Sequence, residues 1–198
     1  MPVTINGSTG ISGVDGSAGT PALIGSDADT GIFLAAGQVS ASVNGTAGNV
    51  PLVSGTAQAS TSGTNIDFTG IPSWVKRVTV MFNGVSTNGT SRVIIQIGAG
   101  SFDTSGYLGS VSAVNFSTGF GLDDIANAAG VRHGSGTLSL IGSNGWIWAG
   151  CGGRSDTSGI QYVAGGSKTL SGTLDRVRIT TVNGTDTFDA GSINIMYE

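Results

Sequence analysis

The stretch Lys76-Arg77-Val78-Thr79-Val80-Met81-Phe82 places Val78, Val80 and Phe82 in alternation with Thr79 and Met81. A two-residue period puts successive side chains on opposite faces, which is the signature of a β-strand with one buried face. A second stretch repeats the pattern: Val177 and Ile179 alternate with Arg176, Arg178 and Thr180. Working outward, Asn65–Phe68, Lys76–Phe82, Arg92–Ile97, Gly109–Phe116, Thr137–Ile141, Gly145–Ala149, Leu174–Val182 and Ser192–Tyr197 read as strands. Asn44-Gly45, Asn83-Gly84, Asn88-Gly89, Asn144-Gly145 and Asn183-Gly184 fall where tight hairpin turns are expected. The Asn-x-Ser/Thr sequons coincide mostly with these dipeptides and read as turns. Only Leu122–Ala129, stopped by Gly130, has a helical character. The expected fold is all-β, with residues 63–198 forming a β-sandwich, jelly-roll-like in its strand spacing.

Upstream, the pattern changes. Residues 21–62 carry short apolar bursts, Ala22-Leu23-Ile24, Ile32-Phe33-Leu34 and Gln38–Val43, separated by turn residues. Strands this short do not build a core from one chain. Three copies would, so this segment is expected to be a trimeric, intertwined β-stem. Its boundary with the sandwich is expected in Gly55–Gly63, where Ser, Thr, Gly and Ala dominate. Before it, Gly7, Gly10, Gly13, Gly16 and Gly19 recur at every third position. Such a period suits backbone that must approach something closely, because glycine has no Cβ. Five triplets with the lone Pro21 beyond them are too few for a collagen triple helix. Residues 1–20 therefore read as an extended arm, or as a flexible Gly/Ser leader.

Composition limits the function classes. The chain has 198 residues, 35 of them glycine, with 38% hydrophobic and only 10% charged side chains. Mean hydropathy is positive, which opposes disorder, and so lightly charged a chain is prone to associate. Residues 1–70 hold Asp15, Asp27, Asp29 and Asp67 and no basic residue; the net charge of −4 resides there. No basic stripe exists to neutralise phosphates, so nucleic acid is not an expected partner. No apolar run approaches a membrane span, and the first residues have no Sec-type signal pattern. Cys151 has no partner for an intrachain disulfide.

Chemistry was sought in five places. His133 is the lone histidine, so one chain holds no multi-histidine metal site; it reads as a loop residue beside Arg132, although three copies on an axis would gather three. Cys151 reads as a buried or loop thiol. The carboxylate pairs Asp123-Asp124 and Asp186/Asp189 are the only ones available for glycosidase chemistry, and Asp123 or Asp124 more simply caps a helix. Asp27 and Asp29 start a turn. Gly98-Ala99-Gly100 lacks the lysine and helix of a phosphate loop. No enzymatic activity and no cofactor are expected. Recognition groups are sought instead among aromatics and loop polar residues. Trp146 and Trp148 flank Ile147 and share a face, either core or sugar-stacking platform. Tyr162, Arg154 and Asp156 lie in a long Gly/Ser-rich connection, where binding residues tend to sit. Trp74 reads as structural.

Two segments carry a resemblance. Asp15-Gly16-Ser17-Ala18-Gly19-Thr20-Pro21-Ala22-Leu23, followed by Asp27-Ala28-Asp29-Thr30-Gly31-Ile32-Phe33 and the strand Gln38–Gly45, resembles a segment frequent in tail fibres of tailed bacteriophages. Ile66-Asp67-Phe68-Thr69-Gly70-Ile71-Pro72-Ser73-Trp74-Val75 with the strand that follows it looks like their tip domains. The resemblance implies a short, homotrimeric, receptor-binding tail fibre located in the virion tail. It implies a β-rich stem and a β-sandwich knob that contacts a bacterial surface glycan or protein. Unlike larger fibres, this chain begins close to the stem, which leaves the arm with Gly7, Gly10, Gly13, Gly16 and Gly19 to dock on a baseplate or tail protein. A head fibre or capsid decoration of the same architecture is the alternative; a polysaccharide-degrading tailspike ranks last.

Overall fold

The computed structural model describes residues 23–24, 31–35, 38–43, 46–47, 52–124, 126–128, 130–156 and 161–198. The glycine period, Asp27 and Asp29, and the Asn44-Gly45 turn lie outside these residues. The chain divides into two units, Met1–Pro51 and Leu52–Glu198. In the first, β1 (Leu23–Ile24), β2 (Gly31–Ala35), β3 (Gln38–Val43) and β4 (Thr46–Ala47) form an antiparallel sheet in that order. Its register pairs Ile32 with Ala41 and Leu34 with Val39. Each apolar burst of the sequence is a strand here.

The second unit contains β5 (Val53–Ser54), β6 (Gln58–Ala59), β7 (Ile66–Thr69), β8 (Arg77–Thr87), β9 (Val93–Ala99), β10 (Ser101–Phe102) and β11 (Leu108–Val111). It continues with β12 (Val114–Phe116), β13 (Phe120–Gly121), β14 (Arg132–Gly142), β15 (Gly145–Arg154), β16 (Gln161–Thr169), β17 (Arg176–Thr181) and β18 (Phe188–Tyr197). All pairings are antiparallel. The smaller sheet runs β10-β9-β17-β7, with β13 also on β9; the broad sheet runs β12-β11-β16-β15-β14-β8-β18-β5, with β6 also on β18. One apolar core joins them. Val78, Val80, Phe82, Leu138, Trp148 and Ile195 of the broad sheet share it with Phe68, Ile95, Ile97, Val177 and Ile179 of the smaller one. The domain is thus sandwich-like and open-edged, and its alternating stretches are the strands read from the sequence.

The larger unit begins at Leu52, where β5 and β6 already add to β18. Several expectations are corrected. Leu122–Ala129 contains no helix among its described residues. Asp123 turns inward to meet Arg132, and so does not cap a helix. Gly109–Phe116 is a hairpin, not one strand; β11 and β12 pair across Ser112, whose φ is 50°. The Asn-Gly dipeptides do not all turn the chain. Asn83-Gly84 lies within β8 at a bulge, where Gly84 takes φ +67° and the register against β14 shifts between Arg132 and Gly134. Between β14 and β15 the two left-handed residues are Ser143 and Asn144, so the tight turn sits one residue before Asn144-Gly145.

The core also fixes two phenols. The Tyr107 hydroxyl accepts from the Ile97 N–H at 2.8 Å and sits 3.0 Å from the Asp103 carbonyl. Burial pushes the Tyr107 phenol well above its ordinary range, and burial followed by the Asp123 charge does the same to Tyr162. A folded-state value above the unfolded one contributes stability that is complete below about pH 10 and is lost as pH rises beyond it. Alkaline titration is therefore expected to show Tyr107 and Tyr162 ionising only together with unfolding. Phenolate absorbance that reaches all three tyrosines before the near-UV dichroism changes would refute this.

Candidate interaction surface

The five residues singled out for recognition separate into two places. Trp146 and Trp148 are 2% and 1% exposed. Trp148 stacks on Phe120 with ring centroids 6.2 Å apart and 19° between planes, and Phe120 meets Tyr107 edge-on at 4.9 Å. Neither tryptophan is available as a sugar platform, and the face they share is core. Among the described residues their indole N–H groups have no hydrogen-bond partner.

Arg154, Asp156 and Tyr162 gather at one end of β14–β16. Tyr162 is 3% exposed and donates to the His133 carbonyl at 3.2 Å. Arg154, also buried, makes a two-pronged pair with Asp156, its Nε 2.9 Å from Oδ1. Asp156 also accepts from the Val131 N–H at 2.8 Å. Hydrogen bonding to Asp156 raises the Arg154 guanidinium further above its ordinary range. Arg132 is the cross-strand neighbour of Arg154 and is fully buried against Asp123, Nε to Oδ2 at 2.5 Å. His133, expected in a loop, is on β14; its Nδ1 accepts from the Gly84 N–H at 3.2 Å and its Nε2 lies 3.1 Å from Ser155 Oγ. Of the three sequence-nominated groups here, Arg154 and Tyr162 are buried, and the Asp156 side chain, paired with Arg154, keeps 15% exposure.

The carboxylates considered for bond cleavage have separate structural work. Asp186 accepts from the Ser91 N–H at 2.8 Å and from Asn183 Nδ2 at 2.6 Å, and Asp189 accepts from Ser86 Oγ. Among the described residues, no three His, Cys, Asp or Glu side chains converge as metal ligands would.

What the sequence reading missed is the outer face of the broad sheet. Inward placement of Val78, Val80, Leu138, Trp146, Trp148, Tyr162 and Ala164 sends their alternating neighbours out. The register then aligns three outward rows. Met196, Thr79, Thr137, Ala149, Gly165 and Ser110 form one; Asn194, Met81, Ser135, Cys151 and Val163 form the next; Arg77, Ser139, Ile147, Ser167 and Leu108 form the third. Arg77 is the single charged residue in these rows, and Glu198 at the sheet margin pairs with it. Leu108 is 75% exposed and Val163 74%. Where Gly109, Gly165 and Gly166 remove side chains, a shallow groove of about 630 Å³ opens beside Leu108 and Asn115.

The smaller sheet is the reverse. Its outward residues include Arg178, doubly bonded to Asp67 at 2.7 Å, and Arg176 bonded to Asp175, with the Arg178 guanidinium 4.1 Å above the Phe102 ring. One outer face is laced with paired charges and the other is almost free of them.

No protein family, no curated protein and no solved structure matches this chain.

Proposed function

We propose that this chain is a virion structural protein, a homotrimeric tail fibre of a tailed bacteriophage that attaches the particle to a glycan or protein of the bacterial surface. The observation that carries this reading is the division at Pro51/Leu52, a small antiparallel sheet followed by a larger sandwich-like domain without disulfides. That is the stem-then-knob order implied by the resemblance of residues 15–45 and 66–82. On this reading the first unit contributes the intertwined stem and the larger domain is the jelly-roll-like knob. Gly7–Gly19 belongs to the arm that docks on a baseplate or tail protein. Receptor contact falls to exposed groups near the end of β15, beside the Arg154–Asp156 pair that fixes this part of the chain.

Light scattering is expected to give three times the 19.6 kDa chain mass, and labelled antibody is expected to decorate the tail of intact particles. A monomer, or label on the capsid, would overturn the reading. So would release of reducing ends from host polysaccharide by the purified chain.

A further inference from the structure

From the outer face of the broad sheet we infer a second assembly surface: copies of this chain pack on one another through the rows carrying Thr79, Met81, Thr137, Ala149, Cys151 and Val163. This rests on the homotrimer reading for the number of copies. It departs from the sequence expectation, which gave the work of association to residues 21–62.

These rows are built of hydroxyls, small side chains and the apolar Leu108, Ile147, Val163, Met81 and Met196, with Arg77 alone carrying charge. Such a face loses little when water leaves it, whereas a charged one carries a large desolvation penalty. The same absence of charge gives it nothing to offer a charged partner, and an equally uncharged face is its complement. Each further copy brings one.

From β18 across β8, β14, β15 and β16 to β11 there are five inter-strand steps, roughly 24 Å at the usual sheet spacing. Along the strands, Ile147 to Cys151 with its margins covers about 20 Å. The resulting patch is on the order of 500 Å² per copy, so three copies turned inward about one axis would remove roughly 1,500 Å² from water, within the range of specific interfaces.

Cys151 makes the test direct, because it lies beside Val163 in one of these rows and is exposed on the single chain. The full-length protein would be labelled with a maleimide alongside a measurement of native mass. In the wild type Cys151 is expected to react at least about tenfold more slowly than a free-thiol peptide, a shielding equivalent to ~1.4 kcal/mol. Val163→Asp sets a charge in the same row and is expected to restore fast labelling, while Val163→Thr keeps it slow. Far-UV dichroism checks that the variants fold. If Val163→Asp does not fold, the wild-type rate against the peptide decides alone. Fast labelling of a wild-type trimer would overturn this inference and leave the fibre reading intact. Slow labelling of a species other than a trimer would support the surface and overturn the homotrimer. A fast-labelling monomer would end both.

Discussion

Asp123→Ala is expected to remove about 3–5 kcal/mol of stability, the usual penalty for stranding one member of a buried ion pair. Both side chains of the Asp123–Arg132 pair are 0% exposed. Once the carboxylate is gone, the guanidinium keeps one bond to a neutral carbonyl, Nη1 to Gly130 at 3.0 Å. Its positive charge then sits in a poorly polarisable interior without a counter-ion. A domain of this size has roughly 5–15 kcal/mol to lose, so the variant consumes a large fraction of it. The melting temperature should fall by on the order of 10 °C. Asp123→Asn is expected to fall between the two, because it restores an acceptor and not the charge. Replacing both partners, Asp123→Leu with Arg132→Met, is expected to recover most of the loss, since apolar groups of similar size need no pairing. Denaturant midpoints of the four proteins measure the series. An Asp123→Ala midpoint equal to wild type would mean that the pair is not buried. The consequence reaches the proposed receptor contact, because Arg132 lies across from Arg154, whose partner is Asp156.

How much of this was legible depends on which physical signal each residue emits. Strands with one apolar face announce themselves: Val78, Val80 and Phe82 in β8, and Val177 and Ile179 in β17, were read correctly from period alone. β16 was missed because Gly165, Gly166 and Ser167 break the apolar alternation that Tyr162 and Ala164 begin. The far half of β15 was missed for the same reason, at Gly150, Gly152 and Gly153. Gly152 and Gly166 make room for groups on adjacent strands, the Tyr162 hydroxyl and the Leu108 carbonyl, and a linear pattern does not show which neighbour a glycine will meet. The Asn83-Gly84 turn failed similarly. A dipeptide able to reverse the chain is equally able to form a bulge, and pairing on both sides of β8 by β14 and β18 held it straight. Of the recognition residues, the sequence placed Trp146 and Trp148 on one face correctly but left that face's direction open. Once Trp148 is known to point inward, the outward Ala149, Cys151 and Val163 follow by alternation.

Gly136→Ala and Gly165→Ala are expected to have opposite effects, although both replace a glycine within a strand. A Cβ on Gly136 would lie 2.3 Å from Trp148 Cη2 and 2.8 Å from the Gly150 backbone. The indole cannot withdraw, since it is stacked on Phe120, which is itself packed against Tyr107. The added methyl must displace the centre of the core, at a cost of about 1–3 kcal/mol or more. Trp148→Phe in the same chain should relieve part of that cost by shortening the ring, a rescue that a purely conformational effect of alanine would not show. Gly165 has only the Trp148 carbonyl oxygen near its Cβ position, at 3.9 Å, and faces outward. Alanine there removes unfolded-chain freedom without a clash, and a gain of up to about 1 kcal/mol is expected from the glycine term. Thermal melts under conditions that hold the oligomeric state fixed separate the two. Equal losses would place the indole somewhere other than against Gly136. A Gly165→Ala chain that melts higher but assembles less tightly would locate that methyl at the contact between copies.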